Sequence, residues 1–204
     1  MARRILILFA HPVAERSRVG WRLAEAAAEV EGVTVHDLYE RYPRFDLDVP
    51  REQALLTSHD VIVWQHPFYW YSVPALLKEW ADLVLEHGWA YGDGGDALRD
   101  QGKLALSCVT TGGPASAYQP GGYNRFTMRQ LLSPWDQTAH LCGLRYLAPF
   151  VVHGSLRLAG AEDLAPHLAR YQRLLAALRD DEVDLDAAAG AEYLDLTHLR
   201  GAAA

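Results

Sequence analysis

The sequence predicts an α/β fold in which helices cover both faces of a five-stranded parallel sheet. The first observation behind this prediction is a set of short apolar runs without strict alternation, which is typical of strands buried on both faces. The second is that segments with helical spacing of apolar residues lie between these runs. Strands and helices that alternate in this way form right-handed crossovers, which make the sheet parallel.

The strand and helix candidates follow one another along the chain. The strands are predicted at "ILILFA" (5–10), "VTVHDL" (33–38), "DVIVWQ" (60–65), "LALSCVT" (104–110) and "YLAPFVVH" (146–153). The helices are predicted at 17–31, 51–58, 74–87, 126–142 and 162–180. The third helix has the clearest pattern, because Ser72 can cap it and Pro74 suits its first turn. Its apolar residues recur at three-and-four spacing and are Leu76, Leu77, Trp80, Leu83 and Val84.

A chain of 204 residues fits a five-stranded sheet of the flavodoxin type, in strand order 2-1-3-4-5, better than the six-stranded dinucleotide-binding fold. In such a sheet the ligand binds beyond the carboxyl ends of the strands, between the first and the third. Function is therefore expected in the loops after strands one, three and four. We interpret residues 1–180 as one flavodoxin-like domain. Residues 181–204 form an acidic, alanine-rich extension, predicted to be loosely attached, with Tyr193, Leu194 and Leu196 as candidates for docking.

Composition argues against several classes of function. The net charge is −7 and Lys and Arg form no run, so nucleic acid or an anionic membrane surface is not expected as the main partner. Cys108 and Cys142 form no disulfide or zinc pattern and fit buried thiols in a reducing cytoplasm. The first apolar run is too short for a signal peptide or a membrane span. No metal site is expected, because the nine histidines lack metal-binding spacing.

The loop after the first strand, "HPVAERSRVG" (11–20), opens a helix near Ser17. Free N–H groups at a helix start, a hydroxyl group and the nearby Arg16 and Arg18 can together bind a phosphate. The alternative is that Ser17 is only a helix cap and that both arginines are solvated. The residues of this loop alone leave the two interpretations open.

The loop after the third strand carries four adjacent aromatic residues, Phe68 to Tyr71. They cannot all face the core, so some face solvent, a partner subunit or a bound planar ligand. The position of the loop at the predicted switch point favours a wall beside a flat ring system, and a subunit interface is the alternative. His66, which precedes Pro67, is interpreted as a structural histidine.

The loop after the fourth strand, "TTGGPASAYQPGGYNRF" (110–126), is long for a compact domain, and loops of this length are usually functional. Its two threonines and two glycines let the backbone approach a ligand closely. Tyr118 and Tyr123 each carry a phenol that can donate a hydrogen bond or a proton. Either phenol can instead simply pack against a neighbour.

Several segments together resemble the flavodoxin-like NAD(P)H:quinone oxidoreductases. The resemblance is closest to their bacterial branch of KefF and KefG ancillary proteins of glutathione-gated potassium efflux, and it runs from about residue 5 to residue 180. The segments that carry it are "FAHP", "DLYERYPRFDLD", "VWQHPFYWYSVPALLKEW", "HGWAYGDGGDAL", "TTGG" and "PGGYNRFT", in the order of the family.

The resemblance implies a homodimer that binds FMN or FAD non-covalently. It implies that NADH or NADPH gives a hydride to the flavin and that a quinone then takes two electrons, in a ping-pong cycle. The residues assigned to the cofactor in this way are His11, Ser17, Arg18, Val19 and Gly20 for the ribityl and phosphate portion, Phe68, Tyr69, Trp70 and Tyr71 for the isoalloxazine, and Thr110, Thr111, Gly112 and Gly113 for its pyrimidine side.

The resemblance also assigns a catalytic role to Tyr118, which occupies the position of a tyrosine that assists proton movement during hydride transfer. The sequence departs from the family at two places. Around Tyr123 and Asn124 the family has a histidine, and Gly20 stands where an asparagine is usual. Within "HGWAYGDGGDAL" (87–98), Trp89 and Tyr91 are candidates for a wall of the substrate slot, and a structural turn is the alternative.

Three functions follow from these observations. The leading one is a cytoplasmic flavin-dependent NAD(P)H:quinone oxidoreductase. The second is a regulatory ancillary subunit of a potassium-proton antiporter, held at the inner face of the membrane through that partner. The third, a one-electron carrier, is disfavoured because the chain is longer than a carrier needs. The choices between FMN and FAD, between NADH and NADPH, and among acceptors stay open.

Overall fold

The computed structural model describes residues 2–99, 101–158 and 160–201. Within these residues six parallel strands form one sheet in the order β2-β1-β3-β4-β5, and β6 also pairs with β4. The strands are β1 (Ile5–Phe9), β2 (Val33–Asp37), β3 (Val61–Pro67), β4 (Leu104–Thr110), β5 (Arg145–Tyr146) and β6 (Phe150–Val152). The predicted fold class and the predicted strand order 2-1-3-4-5 are confirmed.

The predicted fifth strand, 146–153, is wrong as a single strand. It is divided into β5 and β6, which pair with different parts of β4. Pro149 lies in the break and has no N–H group to donate to the sheet. The C-terminal extension supplies the hydrogen bonds there, because Ala148 donates its N–H to the Ala188 carbonyl (2.9 Å) and the Pro149 carbonyl accepts from the Leu194 N–H (2.9 Å).

Eight α-helices occur in the described ranges. They are α1 (Gly20–Ala28), α2 (Leu38–Arg41), α3 (Val49–Ser58), α4 (Ala75–Val84), α5 (Met128–Leu131), α6 (Ser133–Leu141), α7 (Ala161–Arg179) and α8 (Leu185–Gly190). The predicted helix 126–142 is broken into α5 and α6, because Pro134 sits at the first turn of α6 and cannot continue a helix from the residues before it. Neither α2 nor α8 was predicted, since both are too short to show a periodic pattern.

Helix α4 follows the aromatic loop and fixes where that loop ends. Its N-cap is Pro74, and Ser72 makes no cap bond, so the predicted capping role of Ser72 is wrong. The hydroxyl oxygen of Tyr39 accepts the free N–H of Leu76 instead (3.2 Å). The predicted apolar face is otherwise buried, except that Leu83 is 41% exposed. The loop is therefore anchored to a helix that packs firmly on the sheet.

Residues 183–199 pack against the edge of the sheet, so the prediction that the extension is loosely attached is wrong. Val183 and Leu194 are buried, and Tyr193 is half-buried. The Arg129 guanidinium donates to the carbonyls of Ala189 (2.5 Å) and Ala191 (2.9 Å). The extension thus covers the part of the sheet where the fifth strand breaks.

Cys108 and Cys142 are buried free thiols, as predicted, and burial raises their pKa values to about 12 and about 11. In the part of the chain that the structure describes, no helix is long and apolar enough to cross a membrane.

Candidate functional site

The loops that follow β1, β3 and β4 meet at the carboxyl edge of the sheet and enclose a cleft of about 540 Å³. Parallel neighbouring strands end at the same edge, so loops that are distant in sequence come together there. The cleft contains nine of the predicted cofactor-binding residues, which are His11, Ser17, Arg18, Val19, Gly20, Phe68, Tyr69, Thr110 and Gly112.

The β1 loop presents the N-terminus of α1 to this cleft. The N-cap residue of α1 is Val19, and the Ser17 hydroxyl oxygen, two residues before it, accepts the N–H of Trp21 in the first turn (3.1 Å). A Cβ atom at Gly20 would lie 2.9 Å from that oxygen, so a side chain at this position would displace the Ser17 hydroxyl. Arg16 and Arg18 are exposed at the same cleft. A helix start with nearby cations is suited to an anionic group such as a phosphate.

His11 joins the β1 loop to the aromatic loop. Its Nδ1 accepts the N–H of Val13 (3.1 Å), so its Nε2 carries the proton and donates to the Tyr69 hydroxyl oxygen (3.2 Å). Burial lowers the pKa of His11, which keeps the ring neutral at neutral pH. His11 is therefore a neutral hydrogen-bonding group between the two loops.

The aromatic loop after β3 is held in an unusual backbone conformation. Trp70 and Tyr71 have φ angles of 50° and 62°, in the left-handed region that residues with a side chain rarely adopt. Hydrogen bonds hold the loop from both sides, with Phe68 N–H donating to the Thr110 carbonyl (2.9 Å) and the Tyr71 hydroxyl donating to Asn124 Oδ1 (3.2 Å). Backbone strain of this kind is concentrated at functional sites.

The four aromatic side chains have different surroundings. Phe68 is half-buried, Tyr69 and Tyr71 are about half exposed, and Trp70 is 92% exposed. Phe68 and Tyr69 line the first cleft, whereas Trp70 and Tyr71 line a second cleft that also includes Phe68. His66, just before them, is buried and its pKa is lowered to about 4 by that burial, as befits a structural histidine.

The β4 loop closes the other side of the first cleft. Thr110 and Gly112 line it, and a Cβ atom at Gly112 would lie 3.1 Å from Leu156 Cδ1. Thr111 is buried and lines neither cleft. Its N–H donates to the Val152 carbonyl (3.0 Å) and its hydroxyl donates to the Gly113 carbonyl (2.9 Å). Thr111 therefore shapes the loop from within.

The second cleft, of about 490 Å³, lies beside the first, and Tyr118 forms part of its wall. Tyr118 is 7% exposed, and its ring packs between those of Phe68 (6.3 Å between centroids) and His153 (5.4 Å). A Cβ atom at Gly113 would lie 3.5 Å from the Tyr118 hydroxyl oxygen. No described residue forms a hydrogen bond with that hydroxyl, which leaves it available to a ligand in the cleft.

Two other predicted positions differ in their surroundings. Tyr123 is 91% exposed at the rim of the second cleft, next to Asn124. Trp89 and Tyr91 line neither of the two clefts and pack against the core, with Tyr91 bridged to His87 in a turn. The structural-turn interpretation of residues 87–98 therefore fits the structure better than a wall of the slot.

Ser155 and Leu156 line the first cleft and were not predicted. They follow β6, so the rule that ligands bind at the carboxyl ends of strands includes them. The apolar pattern predicts a strand up to residue 153 and carries no signal for the loop beyond it.

The comparison with family models agrees with this geometry. A model described as "Flavodoxin-like fold" matches residues 3–175. The chain belongs to this flavodoxin-like family. Among curated members, the glutathione-regulated potassium-efflux system ancillary protein KefG of Escherichia coli O6:K15:H31 (strain 536 / UPEC) is 46% identical over 173 residues, which are 85% of this chain and 93% of KefG.

Solved structures that are similar to this chain are described with different activities. The general stress protein 14 of Treponema denticola, in complex with FMN, is 36% identical with a TM-score of 0.76, over 87% of this chain and 98% of its own. An NADPH-quinone reductase from P. pentosaceus is 34% identical (TM-score 0.74; 83% and 96% covered). A structure described as a thermophilic tryptophan halogenase from Streptomycin violaceusniger is 43% identical (TM-score 0.78; 82% and 96% covered). Because these descriptions differ, activity has to be argued from the site.

Proposed function

We propose that this protein is a flavin-dependent NAD(P)H:quinone oxidoreductase that uses a two-electron, ping-pong hydride transfer. The observation that carries the proposal is the first cleft, which is lined both by the N-terminus of α1 and by residues of the aromatic loop. A flavin mononucleotide has the same two parts, a phosphate and a flat ring system. The FMN complex of the Treponema denticola relative favours FMN over FAD.

The residues of the first cleft fit such a cofactor. The glycine at position 20 lets the loop approach the α1 start, and Arg16 and Arg18 add positive charge for a phosphate. Phe68 and Tyr69 offer flat apolar surface for a ring. The backbone of Gly112 and Gly113 can approach the edge of that ring closely because neither residue has a side chain.

When bound, the flavin supplies the hydride-accepting chemistry. Backbone N–H groups of the β4 loop would donate hydrogen bonds to the pyrimidine edge of a bound flavin, where negative charge accumulates on reduction, and would so favour the reduced state without a catalytic base. The slot formed by the second cleft holds NAD(P)H and then the quinone in turn, so the main contribution of the protein is proximity. The Tyr118 hydroxyl, in the wall of the second cleft, would donate a hydrogen bond or a proton to the cofactor edge.

The presence of the cofactor and the activity are tested together on the purified protein. It should be yellow, and acid should release FMN, identified by its mass. Addition of menadione should start consumption of NADH or NADPH, and the preferred donor is the one with the higher kcat/KM. Colourless protein that neither FMN nor FAD reconstitutes would refute the proposal, and release of FAD would correct the choice of flavin.

The role of Tyr118 is tested by Tyr118→Phe, which removes only the hydroxyl. We expect flavin to stay bound while its reduction by NAD(P)H slows by about 100-fold or more, because a positioned proton donor typically contributes about 10²- to 10⁴-fold. Stopped-flow absorbance measures this step separately from quinone reduction. The matched control is Tyr123→Phe at the exposed rim, which should keep the wild-type rate. An unchanged rate in Tyr118→Phe would remove its catalytic role.

A regulatory function is the second proposal, favoured by the 46% identity to KefG, which is described as an ancillary protein of a potassium-efflux system. In this case the protein binds a potassium-proton antiporter at the cytoplasmic face of the membrane. Co-expression with a tagged antiporter of the same organism should lead to co-purification in detergent. Potassium efflux should rise with the wild-type protein, and comparison with Tyr118→Phe would separate binding from redox turnover.

We also propose that the protein is a homodimer and that the second copy covers the open clefts. Trp70 and Tyr123 are each more than 90% exposed at the rim of the second cleft, although aromatic residues of this size are usually at least partly buried. A second copy of the chain would bury them and complete the slot in which planar substrates bind.

A further inference from the structure

A row of three aromatic rings runs from Tyr193 in the C-terminal extension through His153 to Tyr118. The ring of Tyr193 contacts that of His153 edge-on, with centroids 5.3 Å apart and planes at 89°. The His153 ring in turn packs against Tyr118 at 5.4 Å. Tyr193 lies beyond residue 175, where the family match ends. The contact therefore brings a part of the chain outside the shared fold next to the candidate catalytic residue.

Hydrogen bonding fixes the state of His153. The Thr111 hydroxyl donates to the Gly113 carbonyl (2.9 Å), so the same oxygen can only accept from His153 Nδ1 (3.3 Å). His153 thus carries its proton on Nδ1, and its buried Nε2 has no hydrogen-bond partner among the described residues. Burial, together with the charge of nearby Arg170, lowers the pKa of His153 to about 4, so the ring stays neutral.

Tyr118 depends on such ring contacts for its orientation. Its hydroxyl makes no hydrogen bond within the described ranges, so packing alone sets the direction of the phenol. Phe68 supports one part of the ring and His153 another. Loss of the His153 contact would let the ring rotate away from Gly113, where the hydroxyl now lies.

We propose that His153 and Tyr193 are positioning residues for Tyr118, so that the C-terminal extension helps to set the geometry of the candidate active site. Thr111 holds the His153 ring from one side and Tyr193 blocks its movement on another. The inference rests on the function proposed above, because it assigns these residues a role in the hydride-transfer step.

The kinetic experiment compares Tyr193→Ala, which removes the ring, with Tyr193→Phe, which keeps it. Tyr193 is half-buried, so neither change should prevent folding. We expect Tyr193→Ala and His153→Ala to reduce the rate of flavin reduction by about tenfold, since small misplacements of a reacting group are costly, while KM for NAD(P)H changes less than about twofold. Tyr193→Phe should restore the wild-type rate.

The control is His167→Ala, which removes another partly buried histidine, on α7, whose pKa burial also lowers. It should leave the rate unchanged. Equal rates in the wild type, Tyr193→Ala and His153→Ala would refute the inference. A similar loss in His167→Ala would also refute it, because the effect would then be general destabilisation rather than positioning.

A second readout uses flavin-free protein and requires no activity. Long-range ¹⁵N NMR of labelled histidine should find His153 protonated on Nδ1 and unprotonated on Nε2 from neutral pH down to about pH 5. Labelled Tyr118 signals, assigned with Tyr118→Phe, should shift in His153→Ala and Tyr193→Ala but not in His167→Ala. If the wild type shows no turnover but these shifts occur, the proposed function is wrong, whereas the contacts from Tyr193 through His153 to Tyr118 are confirmed. Unshifted Tyr118 signals refute the inference itself.

Discussion

Glu52 is a fully buried carboxylate that joins three parts of the fold. It accepts hydrogen bonds from His36 Nε2 (2.8 Å), the Tyr42 hydroxyl (2.6 Å) and Trp80 Nε1 (2.9 Å). Burial alone would raise its pKa, but the bonds from His36, Tyr42 and Trp80 outweigh burial and hold the pKa below its usual range. One side chain therefore links β2, α3 and α4, and α4 anchors the aromatic loop.

We expect Glu52→Gln to lower the free energy of unfolding by about 3 kcal/mol at pH 7, because a buried network that loses its charge leaves donors unpaired. The folded pKa lies below the unfolded one, so the carboxylate contributes its full stabilisation above about pH 4.5 and loses it as pH falls through the folded pKa. The difference in the free energy of unfolding between the wild type and Glu52→Gln should therefore become smaller in acid. Urea denaturation at several pH values measures this difference.

The matched control for this prediction is Glu79→Gln, since Glu79 is exposed on α4 and bears the same charge. It should change the free energy of unfolding by less than about 0.5 kcal/mol at any of these pH values. If the difference in the free energy of unfolding between the wild type and Glu52→Gln stayed constant down to pH 3, the assignment of a lowered pKa to Glu52 would be contradicted.

At this scale the sequence predicts residues that adjoin strand ends and misses residues that meet only through packing. Phe68 and Gly112 lie within three residues of the ends of predicted strands, and the topology of a parallel sheet places such positions at one edge. Glu52 and His153 gave no comparable signal. The hydrogen-bond partners of Glu52 come from other elements, and the rings that contact His153 come from other loops. Both environments therefore depend on three-dimensional packing.

The aromatic loop illustrates how an element can keep a strained backbone. Trp70 is 92% exposed, so its side chain gains little from burial, yet its φ angle is 50°. A residue with a Cβ atom pays about 1–2 kcal/mol for this conformation. The neighbouring hydrogen bonds of Phe68 and Tyr71 hold the loop in place. We infer that the loop keeps this conformation for contact with a bound ligand or partner, because the conformation does not stabilise the fold itself.

Two substitutions at Trp70 test this strain directly. Trp70→Gly and Trp70→Ala both remove the exposed ring, but only glycine adopts a positive φ without cost. We expect the glycine variant to be more stable than the alanine variant by about 1 kcal/mol, the reverse of their usual order. Chemical denaturation of both variants measures the difference. An alanine variant at least as stable as the glycine variant would mean that the loop does not hold this conformation in solution.

The elements themselves are predicted well where they are long and poorly where local chemistry interrupts them. The alternation of strands and helices and the order of the sheet follow from apolar patterns of six or more residues. The break between β5 and β6 depends on Pro149 together with the extension that pairs there. A pattern of apolar residues through 146–153 does not reveal that interruption.

At the scale of the whole molecule, the extension behaves as part of the folded unit. Leu194 is 1% exposed, and its N–H completes the sheet edge at Pro149. We expect Leu194→Ala to lower the free energy of unfolding by about 2–4 kcal/mol, as for other buried leucines, and to keep a single unfolding transition. The control is Leu156→Ala, whose side chain is 80% exposed. Two separate transitions would instead support an independent extension after residue 180.

The assembly of two copies is the last property that the surface of the molecule predicts. Trp70 and Tyr123 are almost fully exposed and Tyr71 is about half exposed, and all three line the open second cleft. Burial of such aromatic residues would stabilise a dimer by about 25 cal/mol for each Å² of apolar surface removed from water. An interface centred there would also shield the slot from water, so dimerisation and turnover should be lost together.

We therefore expect size-exclusion chromatography with light scattering to give twice the mass of the chain. The double variant Trp70→Glu with Tyr123→Glu should give the mass of one chain, because two carboxylates cannot be buried in an apolar interface without large desolvation costs. Leu83→Glu should remain dimeric, because it places a carboxylate on an exposed apolar residue of α4, away from the second cleft. A wild-type protein of single-chain mass, or a double variant that remains dimeric, would show that these aromatic residues do not form the interface, and their exposure would then have to serve the substrates alone.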